Sequence, residues 1–154
     1  YIETKDSVFV SKFSKYYSVY TIVEDLTRMV DDEFLKIAVY HFDSSECHVL
    51  PFLEEITKEL KVVVSGRNWL DISHPEVDKS FALSMLQSQL KISEDETMVF
   101  GDYNNDIEML QLGYFSYAMK NAHPDVRKVA RFKTTSNSDG GVEKVIEQLL
   151  NNNK

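Results

Sequence analysis

Residues 98–110 read MVFGDYNNDIEML, and the reading of this stretch decides the fold. Three apolar residues run into Gly101, after which Asp102 and Asp106 stand four positions apart with Asn105 beside the second acid. The apolar lead predicts a buried strand over 97–100, followed by a helix from about 105 to 112 closed by Gly113. In an open parallel sheet, ligands bind beyond the carboxyl ends of the strands. Asp102 stands at such an end, and Gly101 lets the backbone turn and leaves room for a close approach. Asn105 and Asp106 fall in the first helical turn, where backbone N–H groups favour anions. Two hard-oxygen acids and an amide form a partial site for Mg²⁺, which takes few protein carboxylates and keeps water or substrate oxygens for the rest. A structural reading stands beside this one. Asp and Asn are also the commonest cap and turn residues, so Asn104 as an N-cap and Asp106 as a first-turn acid account for the pattern without a ligand.

Working outward from this stretch, the downstream half alternates helices with short apolar strands. Asp78 caps a helix over 79–90, Ser93–Glu96 has capping-box spacing, and YFSYAM (114–119) reads as a strand. A short helix over 123–130, a short strand at 131–133 and a final helix follow. Val142, Val145, Ile146, Leu149 and Leu150 mark one face of that last helix, and the tail NNNK is expected to fray. Upstream, SVFVSKF (7–13) alternates like a strand, and residues 20–31 place apolar side chains at helical spacing. Residues 36–42 read as a strand, and the segment after Pro51 as a helix. KVVVS (61–65) and WLDIS (69–73) read as antiparallel strands about a tight connection at Gly66-Arg67-Asn68. Residues 1–73 thus read β-α-β-α-β-β. The fold class is α/β, a Rossmann-like parallel sheet with helices, with a domain boundary near residue 74.

Composition narrows the function classes. The 154 residues are 43% hydrophobic and 27% charged, which suits a globular chain with a core. A net charge of −8, with no Lys/Arg stripe, argues against nucleic acid as a partner. No apolar run approaches the ~20 residues of a membrane span, so no membrane partner is expected. The single cysteine, Cys47, cannot form an internal disulfide, and a reducing, cytoplasmic setting is the expectation. His41, His48, His74 and His123 show no metal-ligand spacing and read as surface or loop residues. Tyr16, Tyr17 and Tyr20 read as core aromatics, with a place facing substrate as the other option. Arg67, Asn68 and Trp69 suit either a structural hairpin or a loop that reads a substrate.

GDYNNDIEML resembles the fourth motif of haloacid dehalogenase (HAD)-like phosphatases, in its Gly-Asp-x-x-Asn-Asp form. WLDISHPEVDKSFALSML resembles the segment of the Cof-type, subfamily IIB branch that leaves the cap domain and delivers the third-motif lysine, here Lys79. YAMKNAHPDVRKVA and TSNSDGGVEKVIEQLL resemble two later segments of that branch, so the likeness runs from 69 to 150 in the right order. It implies that residues 1–73 are part of an α/β cap and residues 74–154 the C-terminal part of the core. It also implies hydrolysis of phosphate monoesters of sugars or similar small metabolites through an aspartyl-phosphate, with Mg²⁺ neutralising charge. By motif, Asp102 binds the metal and Asp106 acts on it through water or in support. Asn105 contacts the phosphoryl group, and Lys79 balances negative charge there. Asn121 either shapes the loop beside the site or caps the helix that follows.

One part of the family pattern is missing. The first motif is Asp-x-Asp, yet no two aspartates of this sequence stand two apart, and the second motif's Ser or Thr has no evident counterpart. The expectation is a chain truncated at its N-terminus and inactive alone, with Thr97–Phe100 left as an exposed strand edge through which it self-associates. Two alternatives remain open. One is a non-catalytic phosphate-binding or interaction module that has lost its nucleophile. The other is a relative such as a phosphomannomutase or a sucrose-phosphatase-like enzyme.

Overall fold

Asp6 starts the first helix. Its carboxylate accepts from the Phe9 N–H, and α1 runs Ser7–Phe13 where alternation had predicted a strand. The pair Phe9 and Phe13, four residues apart, stacks at 5.5 Å on one side of that helix, and Phe13 is buried. Helical pairing of aromatics thus prevails over the period-two pattern. This belongs to a computed structural model that describes residues 1–29 and 31–152, the side chain of Asn152 excepted. The chain divides into two compact units, Tyr1–Phe34 and Leu35–Lys154.

In the first unit the helix expected over 20–31 does not form. Ile22 instead makes a parallel bridge to Ile2, and only a short 3-10 turn follows at Leu26–Arg28, capped by Asp25. Val30, part of that expectation, lies outside the described residues. The bridge satisfies backbone groups that a helix would have paired internally: Ile2 N–H donates to Thr21 O and Val23 N–H to Ile2 O. Ile2, at 6% exposure, sits in this unit's interior.

The second unit holds two sheets. β1 (Lys36–Tyr40), β2 (Lys61–Gly66) and β3 (Trp69–Ser73) form an antiparallel sheet in the order β1-β3-β2, as the hairpin at Gly66–Asn68 predicts. Between β1 and β2 lie only a one-turn helix, α2 (Ser45–His48), and 3-10 turns at Leu50–Phe52 and Ile56–Lys58. The helix expected after Pro51 fails because its apolar face has no partner: Leu53 packs on the sheet, but Phe52 is 83% exposed. Val64, Leu70 and Ile72 form the core on one side of this sheet.

α3 (Lys79–Leu90) begins at the Asp78 N-cap, as expected, and Lys91 ends it in the left-handed conformation at φ 57°. β4 (Met98–Gly101), β5 (Phe115–Ala118) and β6 (Phe132–Lys133) then form a parallel sheet in the order β4-β5-β6, with α4 (Ile107–Leu110) and α5 (Pro124–Val129) in the crossovers. β4 is therefore an edge strand among the described residues. Val99, Leu110, Ala118, Met119, Ala122 and Val126 make the core beneath it. Each fully buried Leu or Val there contributes roughly 1.5–3 kcal/mol. Gly113 ends α4's segment through close packing rather than a left-handed turn. A Cβ there would stand 2.6 Å from Val99 Cγ2 and 3.0 Å from Thr97 O. α6 (Gly141–Asn152) presents the apolar face read from its spacing and extends into the tail expected to fray, whose last two residues lie outside the described set. No helix among the described residues is long and apolar enough to cross a membrane.

Candidate active site

The chain leaves β4 at Gly101 and turns at once into a 3-10 turn, Asn104–Asp106, which continues as α4. Glycine is required here. A Cβ on residue 101 would lie 2.7 Å from Asp106 Cβ and 3.0 Å from Leu110 Cδ1. That close approach lets Asp106 fold back under the strand end. Its Oδ2 accepts from the Asp102 N–H at 2.9 Å and from the Tyr103 N–H at 3.2 Å. Its Oδ1 accepts from the ammonium of Lys79. Asp106 is buried to 4% exposure, whereas the Lys79 side chain keeps 49%. Both carboxylate oxygens of Asp106 are thus occupied, and the residue binds two elements together. The first-turn reading of Asp106 holds locally, and the charged partner comes from a different helix. Asn104 is not the N-cap of that turn: Tyr103 takes the cap position, and Asn104 Oδ1 is buried without a hydrogen-bond partner.

Lys79 reaches this point because it is the first residue of α3, immediately after the cap. Asp78 accepts from the Phe81 N–H at 2.7 Å and pairs with the ammonium of Lys61 on β2. Burial pushes the Asp78 carboxyl up, but the Lys61 ammonium, the Ser80 hydroxyl and the Phe81 amide outweigh it and hold the group at about 2. Lys61 also lies 3.4 Å from Glu108 on α4, so one ammonium from the antiparallel sheet ties down both elements that carry Lys79 and Asp106. Sequence reading missed Lys61, because a strand-end lysine carries no local sign of its partners.

The carboxylate of Asp102 behaves differently. Burial, then the negative charge of Asp106, push its pKa above the usual carboxylate range, and Lys79 offsets them only in part. Half-buried, this carboxylate makes no side-chain hydrogen bond or ion pair among the described residues. Its backbone is fixed: the Asp102 carbonyl accepts from the His123 N–H at 2.8 Å, and Gly101 O accepts from the Met119 N–H at 3.1 Å. His123, read as an ordinary loop residue, therefore holds the strand end and also caps α5, its Nδ1 accepting from the Asp125 N–H at 3.3 Å. Asn121 does not cap that helix. Its Oδ1 accepts from Ser136 Oγ at 3.0 Å and the Asn137 N–H at 3.2 Å, joining the 119–123 loop to the next one.

A cavity of about 320 Å³ opens beside Lys79, with Asn105 in its wall. Lys36, Lys61, Asp71 and Ser73 of the antiparallel sheet face it as well. The structure thus brings Lys79, Asp102, Asn105 and Asp106 together at the end of β4, while Asn121 braces a neighbouring loop. Among the described residues no three His, Cys, Asp or Glu side chains converge on one point. Asp102 is the carboxylate at the strand end whose oxygens make no side-chain hydrogen bond among the described residues, and Asp106 stands behind it. One or two carboxylates with open positions around them is the donor set that fits Mg²⁺, whose remaining positions water and phosphate oxygens would fill.

This chain belongs to the haloacid dehalogenase-like hydrolases, whose family description matches residues 1–146. Similarity to individual proteins agrees with this membership. It is 36% identical over 122 residues to the 5-amino-6-(5-phospho-D-ribitylamino)uracil phosphatase YbjI of Escherichia coli strain K12, covering 79% of this chain and 45% of that protein. The crystal structure of SMU.1108c from Streptococcus mutans UA159 superposes with a TM-score of 0.83 at 29% identity, over 96% of this chain and 56% of that one. The HAD subclass IIB sugar phosphatase BT4131 shares the fold, with a TM-score of 0.74 at 21% identity over 94% of this chain and 54% of that one. The chain spans about half the length of the curated relatives it matches first, 45% and 54% of them.

Proposed function

We propose that this chain supplies the metal- and phosphate-binding part of a Mg²⁺-dependent phosphatase acting on phosphate monoesters of sugars or similar small metabolites. The observation that supports this best is the double engagement of Asp106, which holds the Lys79 ammonium on one oxygen and the Asp102 and Tyr103 amides on the other. In this reading Lys79 stabilises negative charge on the phosphoryl group and on the attacking carboxylate. Asn105 donates its amide hydrogens to phosphoryl oxygens from the cavity wall. Asp102 would hold Mg²⁺, with Asp106 supporting the ion indirectly by orienting the Asp102 backbone. When bound, the ion supplies charge neutralisation at the phosphoryl oxygens. Asn121 keeps the adjoining loop in place. Residues 1–73 belong to the cap in this proposal and residues 74–154 to the core, and the exposed Cys47 is consistent with a reducing, cytoplasmic setting.

The substrate class draws support from the E. coli relative, a phosphatase named for a phosphoribityl compound. The nucleophile in this reading is the first acid of an Asp-x-Asp motif. It attacks phosphorus, the second acid protonates the departing alcohol, and water then frees phosphate from the aspartyl-phosphate. No pair of aspartates here has that spacing, so residues 1–154 alone are expected to bind phosphate without turning it over. The test is phosphate release from p-nitrophenyl phosphate by the complete protein. Turnover should require Mg²⁺ and disappear in Asp102→Ala. Near-normal turnover by that variant would overturn the assignment of Asp102.

A further inference from the structure

The cavity beside Lys79 has a floor that phosphate chemistry does not use. The register of β1, β3 and β2 places Lys36, Ser73 and Lys61 side by side in one row, and Ala38, Asp71 and Val63 in the next row on the same side. The other face carries Val64, Leu70 and Ile72 into the core. The strand pattern therefore puts one polar patch on the cavity side of the sheet, where Lys36, Lys61, Asp71 and Ser73 all line the space.

Asp71 is the unexpected member. It sits on the central strand with its side chain only 14% exposed, and carboxylates are rarely so placed without partners. Its Oδ2 accepts from Lys36 Nζ at 3.1 Å, the one hydrogen bond that carboxylate makes among the described residues. Asp71 Oδ1 and the remaining N–H groups of Lys36 make no further side-chain hydrogen bond among the described residues, and both residues line the cavity.

Each ammonium of this lining already faces a carboxylate: Lys36 faces Asp71, Lys61 faces Asp78 and Glu108, and Lys79 faces Asp106. What remains at Lys36 and Asp71 is spare donors beside spare acceptors, not a net charge for a second anion or a cation. Hydroxyl groups both donate and accept, so two on neighbouring carbons match an ammonium and a carboxylate in hydrogen-bond contact. No aromatic side chain is among the described residues lining the cavity, so a flat ring finds no stacking platform there.

We propose that Lys36 and Asp71, with Ser73 beside them, determine which ester is accepted, by binding neighbouring hydroxyls of a polyhydroxylated alcohol moiety. This rests on the reading of Lys79 and Asn105 as phosphate contacts and adds the groups that select the alcohol. Neither residue takes part in the bond-breaking step.

The test is an NMR titration of the 154-residue chain, with Mg²⁺ present, using ribitol 5-phosphate, phenyl phosphate, inorganic phosphate and ribitol as separate probes. Ribitol 5-phosphate should bind about tenfold more tightly than phenyl phosphate and shift the amides of Lys36, Asp71 and Ser73. Asp71→Asn and Lys36→Met should each lower that preference by about fivefold or more, and the double variant should lose little beyond the larger single loss. Equal binding of the two esters, or a preference unchanged in both variants, would overturn the proposal. The phosphate reading is tested separately: inorganic phosphate should shift the amides of residues 102–106. Should it fail to do so while ribitol still shifts Lys36 and Asp71, the selecting role stands and the placement of the phosphate falls.

Discussion

Replacing Asp106 by alanine tests whether the site is held together as its geometry indicates. The substitution removes two hydrogen bonds from backbone amides, at 2.9 and 3.2 Å, and the ion pair with Lys79. A hydrogen bond to a charged group contributes about 1.5–3 kcal/mol when its partner stays dry. The freed amides of Asp102 and Tyr103 are half-buried and regain some water, so about 1 kcal/mol each is the better figure. The Lys79 side chain is 49% exposed, and its share is at most about 1 kcal/mol after solvent screening. The sum is a loss of about 2–3 kcal/mol, or a fall in Tm of roughly 4–12 °C for a domain of this size. Urea unfolding followed by the fluorescence of Trp69, which lies on β3 in the same unit, measures it. Asp106→Asn keeps one acceptor for the amides but turns an NH₂ toward the ammonium, so it should lose about half as much. Combining Asp106→Ala with Lys79→Met should cost less than the two single losses added, because the residues share one interaction. A loss below about 0.5 kcal/mol for Asp106→Ala, or strict additivity in the pair, would refute the account of Asp106 as the link between α3 and the end of β4.

Two further outcomes follow from the same geometry. Asp102 has its pKa raised by burial and then by Asp106, so the folded state disfavours its ionised form. The penalty is absent below the ordinary carboxylate range and complete once pH exceeds the raised value. Asp102→Asn should therefore have a higher Tm than the parent at pH 7, with the gain fading as pH falls through the carboxylate range. Added Mg²⁺ should raise the Tm of the parent and leave that of the variant nearly unmoved, and a variant no more stable than the parent at pH 7 would count against the burial argument. β4 is an edge strand among the described residues, and an open edge offers backbone groups to another chain. Residues 1–154 should thus self-associate in sedimentation as concentration rises, and a single monomeric species throughout would dismiss the idea.

The elements legible in the sequence were those whose signal is local and whose burial agrees with it. The hairpin at Gly66–Asn68, α3 with its Asp78 cap and the β4 strand with its closing acids carry their turn and cap chemistry within a few residues. α1 runs against the alternation of SVFVSKF, because the Asp6 cap and the stacking of Phe9 on Phe13 decide for a helix. The segment after Pro51 had helical spacing and no surface to bury it, and periodicity cannot report a missing partner. The site divides in the same way. Asp102, Asn105 and Asp106 are adjacent in sequence and could be read as a group. Lys79 needed the family resemblance, because 27 residues separate it from Asp106. Lys36, Asp71 and Lys61 had no local signal at all: they become neighbours only when the order β1-β3-β2 is known, since a strand inserted last in the sequence sits at the middle of the sheet. Motifs record the groups that must meet the phosphate, which vary little in chemistry, and register records the groups that meet the rest of the ligand. A sequence reading of such a chain should therefore find the reaction before it finds the substrate, because residues that select the substrate are assembled by strand pairing rather than by spacing.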